Sequence, residues 1–118
     1  MSSDVYLNDP TATYDDVEPL FATIIMDNFM RMAAAVDELF YSALWRPGEI
    51  GIKTANQLEL IVADGIAILK ADPEHYKTFS AANGWGTYEQ FIPWLENYLE
   101  ACEKYPLALV SVSRLKGD

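Results

Sequence analysis

Apolar residues recur at helical intervals in three stretches of the chain, and this periodicity constrains the fold more than any other feature. The stretches begin near Val17, Thr54 and Thr87, and the segments Trp45-Arg46-Pro47-Gly48 and Asn83-Gly84-Trp85-Gly86 separate them. Intervals of three or four residues place side chains on one face of an α-helix, where they can be buried together. The sequence therefore predicts a mainly α fold with three principal helices and one short helix.

The first predicted helix is the longest and runs from about Val17 to Ala43, with a break expected near Asp27-Asn28. Its apolar stripe predicts a face buried against the other helices. The stripe consists of Val17, Leu20, Phe21, Ile24, Phe29, Met32, Val36, Leu39, Phe40 and Ala43.

Two capping boxes predict where the other principal helices begin. In Thr54-Ala55-Asn56-Gln57 and in Thr87-Tyr88-Glu89-Gln90, the hydroxyl and the amide three residues later can each accept a hydrogen bond from the other residue's backbone N–H. The third helix is expected to reach about Lys104 and to bend at Pro93, because proline removes a helical hydrogen bond. A short helix is expected between the second and third, over Glu74–Phe79.

The two ends of the chain have the pattern of short strands. Val5–Leu7 and Leu107–Val112 would form a small two-stranded β element if both are strands, although Val5–Leu7 fits a loose arm equally well. Residues 1–15 are therefore interpreted as an acidic N-terminal arm, and residues 16–118 as a single helical domain.

The charge balance narrows the choice of partners. The chain has 18 acidic and 8 basic residues, giving a formal net charge of −10. A direct nucleic-acid binder needs a basic surface, and so does a protein attracted to an anionic membrane. The negative charge therefore argues against both kinds of partner. The single cysteine, Cys102, allows no internal disulfide, and no apolar run reaches the roughly 20 residues that span a bilayer. The cytoplasm is the expected compartment.

The residues that usually carry out catalysis are scarce. His75 is the only histidine, and Cys102 falls on the predicted apolar face of the third helix. No spacing of histidines, cysteines or carboxylates matches a zinc or calcium site, and no glycine-rich loop is followed by the lysine of a phosphate-binding loop. The sequence predicts a non-enzymatic protein without catalytic residues, metal or cofactor.

Carboxylates form rows on two of the predicted helices. At 100° per residue, the row on the third helix falls opposite its apolar face. A row of like charges is mildly unfavourable, which favours a role in binding a protein partner, although a solvated face accounts for the same pattern. The rows consist of Glu89, Glu96, Glu100 and Glu103 on the third helix and of Asp16, Asp27 and Glu38 on the first.

Six short segments between residues 41 and 114 form a combined pattern. They are Leu44-Trp45-Arg46-Pro47, Gly51-Ile52, Asp72-Pro73-Glu74, Asn83-Gly84-Trp85-Gly86-Thr87-Tyr88-Glu89, Tyr98-Leu99-Glu100-Ala101-Cys102-Glu103 and Val112-Ser113-Arg114. Together they resemble a family of small uncharacterised proteins from phage genomes and mobile elements. The resemblance implies no activity and no site residue; it implies a phage or prophage accessory protein. Combined with the net charge and the glutamate row, it favours a protein that acts in the host cytoplasm on a host protein, for example as a nucleic-acid mimic or anti-defence inhibitor.

The sequence also fits two alternatives to binding a partner through the acidic rows. The first is a small-ligand site, such as a nucleotide site, built from residues of the two tryptophan loops and their surroundings. These residues are Trp45, Arg46, Asn83, Trp85, Tyr88 and Arg114. The second is a structural homo-oligomer, because the first predicted helix is apolar over a wide arc. Its interface would contain Ile25, Met26, Phe29 and Met30.

Overall fold

The computed structural model describes residues 2–11 and 18–114 of the chain, and within them it contains three strands, five α-helices and two short 3-10 helices. The 3-10 helices are Pro47–Ile50 and Ala55–Gln57. The strands are β1 (Ser2–Asn8), β2 (Phe21–Met26) and β3 (Leu109–Arg114). The α-helices are α1 (Asp27–Val36), α2 (Glu38–Trp45), α3 (Glu59–Ala71), α4 (Pro73–Lys77) and α5 (Tyr88–Lys104).

The strands form one antiparallel sheet in the order β2-β1-β3, with the N-terminal strand in the centre. Val5 lies opposite Thr23 on one side and Val112 on the other. The predicted pairing of the two termini is confirmed, but the sheet has three strands where the sequence suggested two. Val5 and Leu7 have no exposed surface, so the segment expected to be an arm supplies core residues.

The prediction of one helix from Val17 to Ala43 is wrong, because residues 21–26 form strand β2. Apolar residues every three or four positions continue through this segment, but β-branched Thr23, Ile24 and Ile25 also suit a strand. Pairing with β1 satisfies the backbone groups on one side of the segment, and Ile25 is buried. The expected break near Asp27-Asn28 is the point where β2 ends and α1 begins.

A second interruption divides the rest of that predicted helix. Asp37 has extended backbone between α1 and α2, and its carboxylate accepts a hydrogen bond of 2.7 Å from the amide of Phe40. This is the ordinary chemistry of a helix N-cap, which satisfies an amide without a helical partner. Two shorter helices therefore replace the long one, and α2 can turn toward α3.

Both capping boxes are confirmed. The Thr54 box opens the 3-10 helix Ala55–Gln57, which leads into α3, and the Thr87 box opens α5. Pro93 lies inside α5 as predicted from the sequence. The short helix α4 ends at Lys77 and not at Phe79. None of the described helices is both long and apolar enough to cross a membrane.

Aromatic rings fill the interior between the helices. The ring centroid of Phe29 on α1 lies 4.7 Å from that of Phe91 on α5, and Phe40 on α2 lies 6.4 Å from Phe91. All three side chains are buried. Such contacts stabilise a core beyond the burial of apolar area alone. The ring of Phe40 also packs directly on the backbone of α3, where Gly65 leaves room for it.

Replacing Gly65 by alanine is expected to lower the free energy of unfolding by about 1–3 kcal/mol, the usual cost of overpacking a core. A Cβ atom at this position would overlap the Phe40 ring. Urea denaturation measures the change. Gly48→Ala is the matched control, because a Cβ there has no atom within 4 Å, and it should change stability by less than about 0.5 kcal/mol. Equal stability of the two variants would contradict the packing.

Candidate functional site

Helices α3 and α5 pack against each other and leave a groove of about 280 Å³ along their contact. We call it the acidic groove. Its floor is apolar and its rim carries three carboxylates of the predicted row on α5. The floor is formed by Ala63, Ile66 and Leu99, and the rim by Glu96, Glu100 and Glu103.

Only part of the acidic row is neutralised within the chain. Glu96 forms an ion pair of 2.7 Å with Lys70 on α3, and Glu89 lies 3.8 Å from Lys77 on α4. In the described residues, Glu100 and Glu103 have no basic side chain within 4.0 Å. Both are exposed, one helical turn apart. Their mutual repulsion is small in water, and no ion pair within 4.0 Å forms at these two carboxylates among the described residues, so the groove presents negative charge at this end.

The other predicted acidic row does not form. Asp27 begins α1, whereas Glu38 belongs to the first turn of α2, and the bend at Asp37 separates them. Both side chains are exposed, and neither lines the acidic groove. Asp16 lies outside the described residues. The row depended on one continuous helix, and strand β2 with the cap at Asp37 replaces that helix.

The two tryptophan loops line separate grooves. Asn83 and Trp85 line one of about 560 Å³ against the start of α1, which we call the Trp85 groove. Its other lining residues are Ile24, Met26, Asp27, Asn28, Arg31 and Ala81. Trp45 and Arg46 line another of about 630 Å³ beside β3, together with Pro47–Glu49 and Val110–Ser113. The structure does not bring the two loops to one groove.

Two residues of the predicted ligand site already have partners inside the chain. Tyr88 is buried, and its hydroxyl donates a hydrogen bond of 3.1 Å to the carbonyl of Leu69. The guanidinium of Arg46 lies 3.9 Å from the carboxylate of Glu49 and 5.8 Å from the ring centre of Tyr41. Arg114 is the last residue of β3, and its side chain lies outside the described part.

The residues predicted for an oligomer interface are mostly core residues. Ile25, Phe29 and Met30 are buried within the chain, and Met26 is partly buried beside the Trp85 groove. The wide apolar arc arose because a strand and a helix follow each other there. Each element buries its own face in the core. If the segment is drawn as one continuous helix, these two faces point in different directions and together look like one wide apolar arc.

The buried ionisable groups of α5 are held in their neutral forms. Burial raises the pKa of the Cys102 thiol from 9.0 to about 12, and the carboxylates of Glu59 and Glu103 act in the same direction. Burial also raises the pKa of the Tyr98 hydroxyl, with a smaller contribution from Cys102. His75 is exposed, and its ring contacts Tyr76 and Phe79.

Within residues 2–11 and 18–114, no three histidine, cysteine, aspartate or glutamate side chains are grouped so that they could hold a metal ion. The protonated Cys102 thiol is a poor nucleophile, since the thiolate is the reactive form.

In the folded chain, the Cys102 thiol is expected to resist a disulfide reagent such as Ellman's reagent at about pH 8, because it is buried and stays protonated. In urea it should react fully. As the pH rises past the ordinary thiol value, the unfolded chain releases this proton before the folded chain does. Stability should therefore fall from about pH 9 toward about pH 12. Rapid, stoichiometric labelling of the native protein would contradict the burial.

A comparison with protein-family models, curated proteins and solved structures finds no match for this chain. The resemblance to phage proteins therefore stays an expectation drawn from the quoted segments. The function proposed for the chain has to rest on its own surfaces, of which the acidic groove and the Trp85 groove combine charged groups with exposed apolar ones.

Proposed function

We propose that this chain is a binding protein that holds a basic, amphipathic segment of a partner protein in the acidic groove. The observation that carries the proposal is the pairing of an apolar floor, Ile66 and Leu99, with Glu100 and Glu103, which form no ion pair within 4.0 Å in the described part of the chain. A helix with lysines or arginines beside its apolar stripe complements both features.

The two features act at different ranges. The net charge of −10 attracts a basic partner over roughly 8 Å at physiological salt, and this speeds the encounter. The apolar floor contributes only after contact, when water leaves it. Charge at the rim mainly sets the rate and the choice of partner, whereas burial of the partly exposed Leu99, which packs against the core that contains Ile66, slows dissociation.

The finer form of the proposal concerns the partner's usual ligand. Along the helix axis, Glu100 and Glu103 lie about 4.5 Å apart, and Glu96, which is paired with Lys70, lies about 6 Å before Glu100. A row of anions at such intervals can occupy a protein groove that ordinarily holds a nucleic-acid backbone. Together with the resemblance to phage proteins, this favours an accessory protein that inhibits a host nucleic-acid-binding or defence protein in the host cytoplasm.

The Glu100→Lys, Glu103→Lys double variant reverses two rim charges. It should bind a fluorescent amphipathic peptide that contains lysine and leucine at least tenfold more weakly than the wild-type chain does. The control is Glu38→Lys with Glu74→Lys, two exposed carboxylates on α2 and α4, which changes the net charge equally. The control should keep most of the affinity, because its charges lie away from the acidic groove. Fluorescence anisotropy at several salt concentrations provides the measurement.

An equal loss of affinity in both double variants would mean that the net charge alone causes the loss. It would contradict specific binding in the acidic groove. Affinity capture from host lysate with the wild-type chain and the groove variant then identifies the natural partner. If the partner binds this chain through a basic nucleic-acid-binding surface, double-stranded DNA should compete with the chain and release the partner. Capture that is indifferent to salt and to both variants would overturn the mimic form of the proposal.

A further inference from the structure

Two large exposed apolar side chains line the Trp85 groove. Trp85 is 64% exposed and Ile24 is 55% exposed. Burying side chains of this size is favourable when water is excluded from them. Single exposed apolar residues are common on protein surfaces, but two of them lining one groove are typical of a binding site.

The backbone around Trp85 is fixed although its side chain is exposed. The Asn28 side-chain amide donates hydrogen bonds of 2.7 Å to the carbonyls of Phe79 and Gly86, joining both ends of the loop to α1. The amide of Trp85 donates to Asn83, and that of Gly86 donates to Gln90. A loop whose backbone is already held in place loses less freedom on binding, which favours affinity.

The groove also presents a positive charge in an acidic protein. Arg31 has no carboxylate within 4.0 Å among the described residues, and its closest polar contact is the Asn28 side-chain oxygen at 3.5 Å. Asp27, four residues earlier, belongs to the first turn of α1, where the free amides of the helix stabilise a carboxylate. The guanidinium of Arg31 thus forms no ion pair within 4.0 Å among the described residues, and Asp27 lies one helical turn away in the same groove.

We propose that the Trp85 groove binds a short peptide segment of a partner protein that presents a bulky apolar side chain next to a carboxylate. The apolar side chain packs between Trp85 and Ile24, and the carboxylate accepts hydrogen bonds from Arg31. Tryptophan and arginine are the side chains that most often dominate the energy of protein interfaces. The site shares no residue with the acidic groove and selects the opposite charge.

The charges favour a peptide carboxylate over a nucleotide phosphate. A terminal phosphate carries nearly two negative charges at neutral pH. In this groove it would meet one cation, Arg31, with the carboxylate of Asp27 one helical turn away. A peptide carboxylate carries one charge and is neutralised by one guanidinium, which can bind it through two parallel hydrogen bonds.

The test is selection of a random linear peptide library on the full chain, followed by synthesis of the enriched sequence with blocked ends. Enriched peptides are expected to carry an aromatic or large aliphatic residue adjacent to aspartate or glutamate. The peptide should shift the indole N–H resonance of Trp85. Trp85→Ala and Arg31→Gln should each weaken its binding at least tenfold in fluorescence anisotropy.

Two controls separate this site from other surfaces. Leu60→Ala removes another exposed apolar side chain, 72% exposed on α3, and Glu100→Lys alters the acidic groove. Both variants should leave the peptide affinity unchanged. Because the two grooves share no residue, failure of this proposal would not contradict the proposal for the acidic groove. Enrichment of basic peptides, no enrichment, or a Trp85 shift with adenosine monophosphate but with no acidic peptide would overturn the proposal. Arg31→Gln keeps the test decisive if Trp85→Ala does not fold.

Discussion

The pairing of β1 with strands on both of its sides is the constraint on which the rest of the structure depends. Val5 is hydrogen-bonded into the sheet between β2 and β3, so the first residues of the chain hold together segments about 90 positions apart. The sheet in turn positions α5, because the indole N–H of Trp94 donates to the hydroxyl of Thr23 and to the carbonyl of Ile24. These bonds also occupy an acceptor on an edge strand, where open backbone groups invite pairing with another chain.

Asn28 connects this framework to the Trp85 groove. It stands at the start of α1, just after β2 ends, and its amide group reaches two carbonyls of the loop that precedes α5. A Cβ atom on Gly86 would overlap Asn28, so the close approach needs a glycine there, and the left-handed backbone at Gly86 suits one as well. The exposed position of Trp85 is therefore a consequence of how β2, α1 and the loop fit together.

Charge is distributed unevenly between the two grooves. The glutamates of α5 line one side of the molecule, and the lysines that relieve them, Lys70 and Lys77, lie toward the beginning of that helix. Glu100 and Glu103 at its other end stay without such partners in the described residues. The Trp85 groove has one cation and one carboxylate. A single small chain thus carries two grooves with different charged groups along them.

The sequence by itself determined the features that depend on neighbouring residues: the two capping boxes and the buried face of α5. Local hydrogen bonds and helical spacing suffice for these, since all participants lie within a few positions. The tertiary structure alone decided that residues 21–26 are a strand, because a segment rich in apolar and β-branched residues fits a helix or a strand until a partner such as β1 is available. It also decided that the tryptophan loops line separate grooves and that Ile25, Phe29 and Met30 belong to the core. Those outcomes depend on contacts between distant segments, and no local pattern in the chain specifies them.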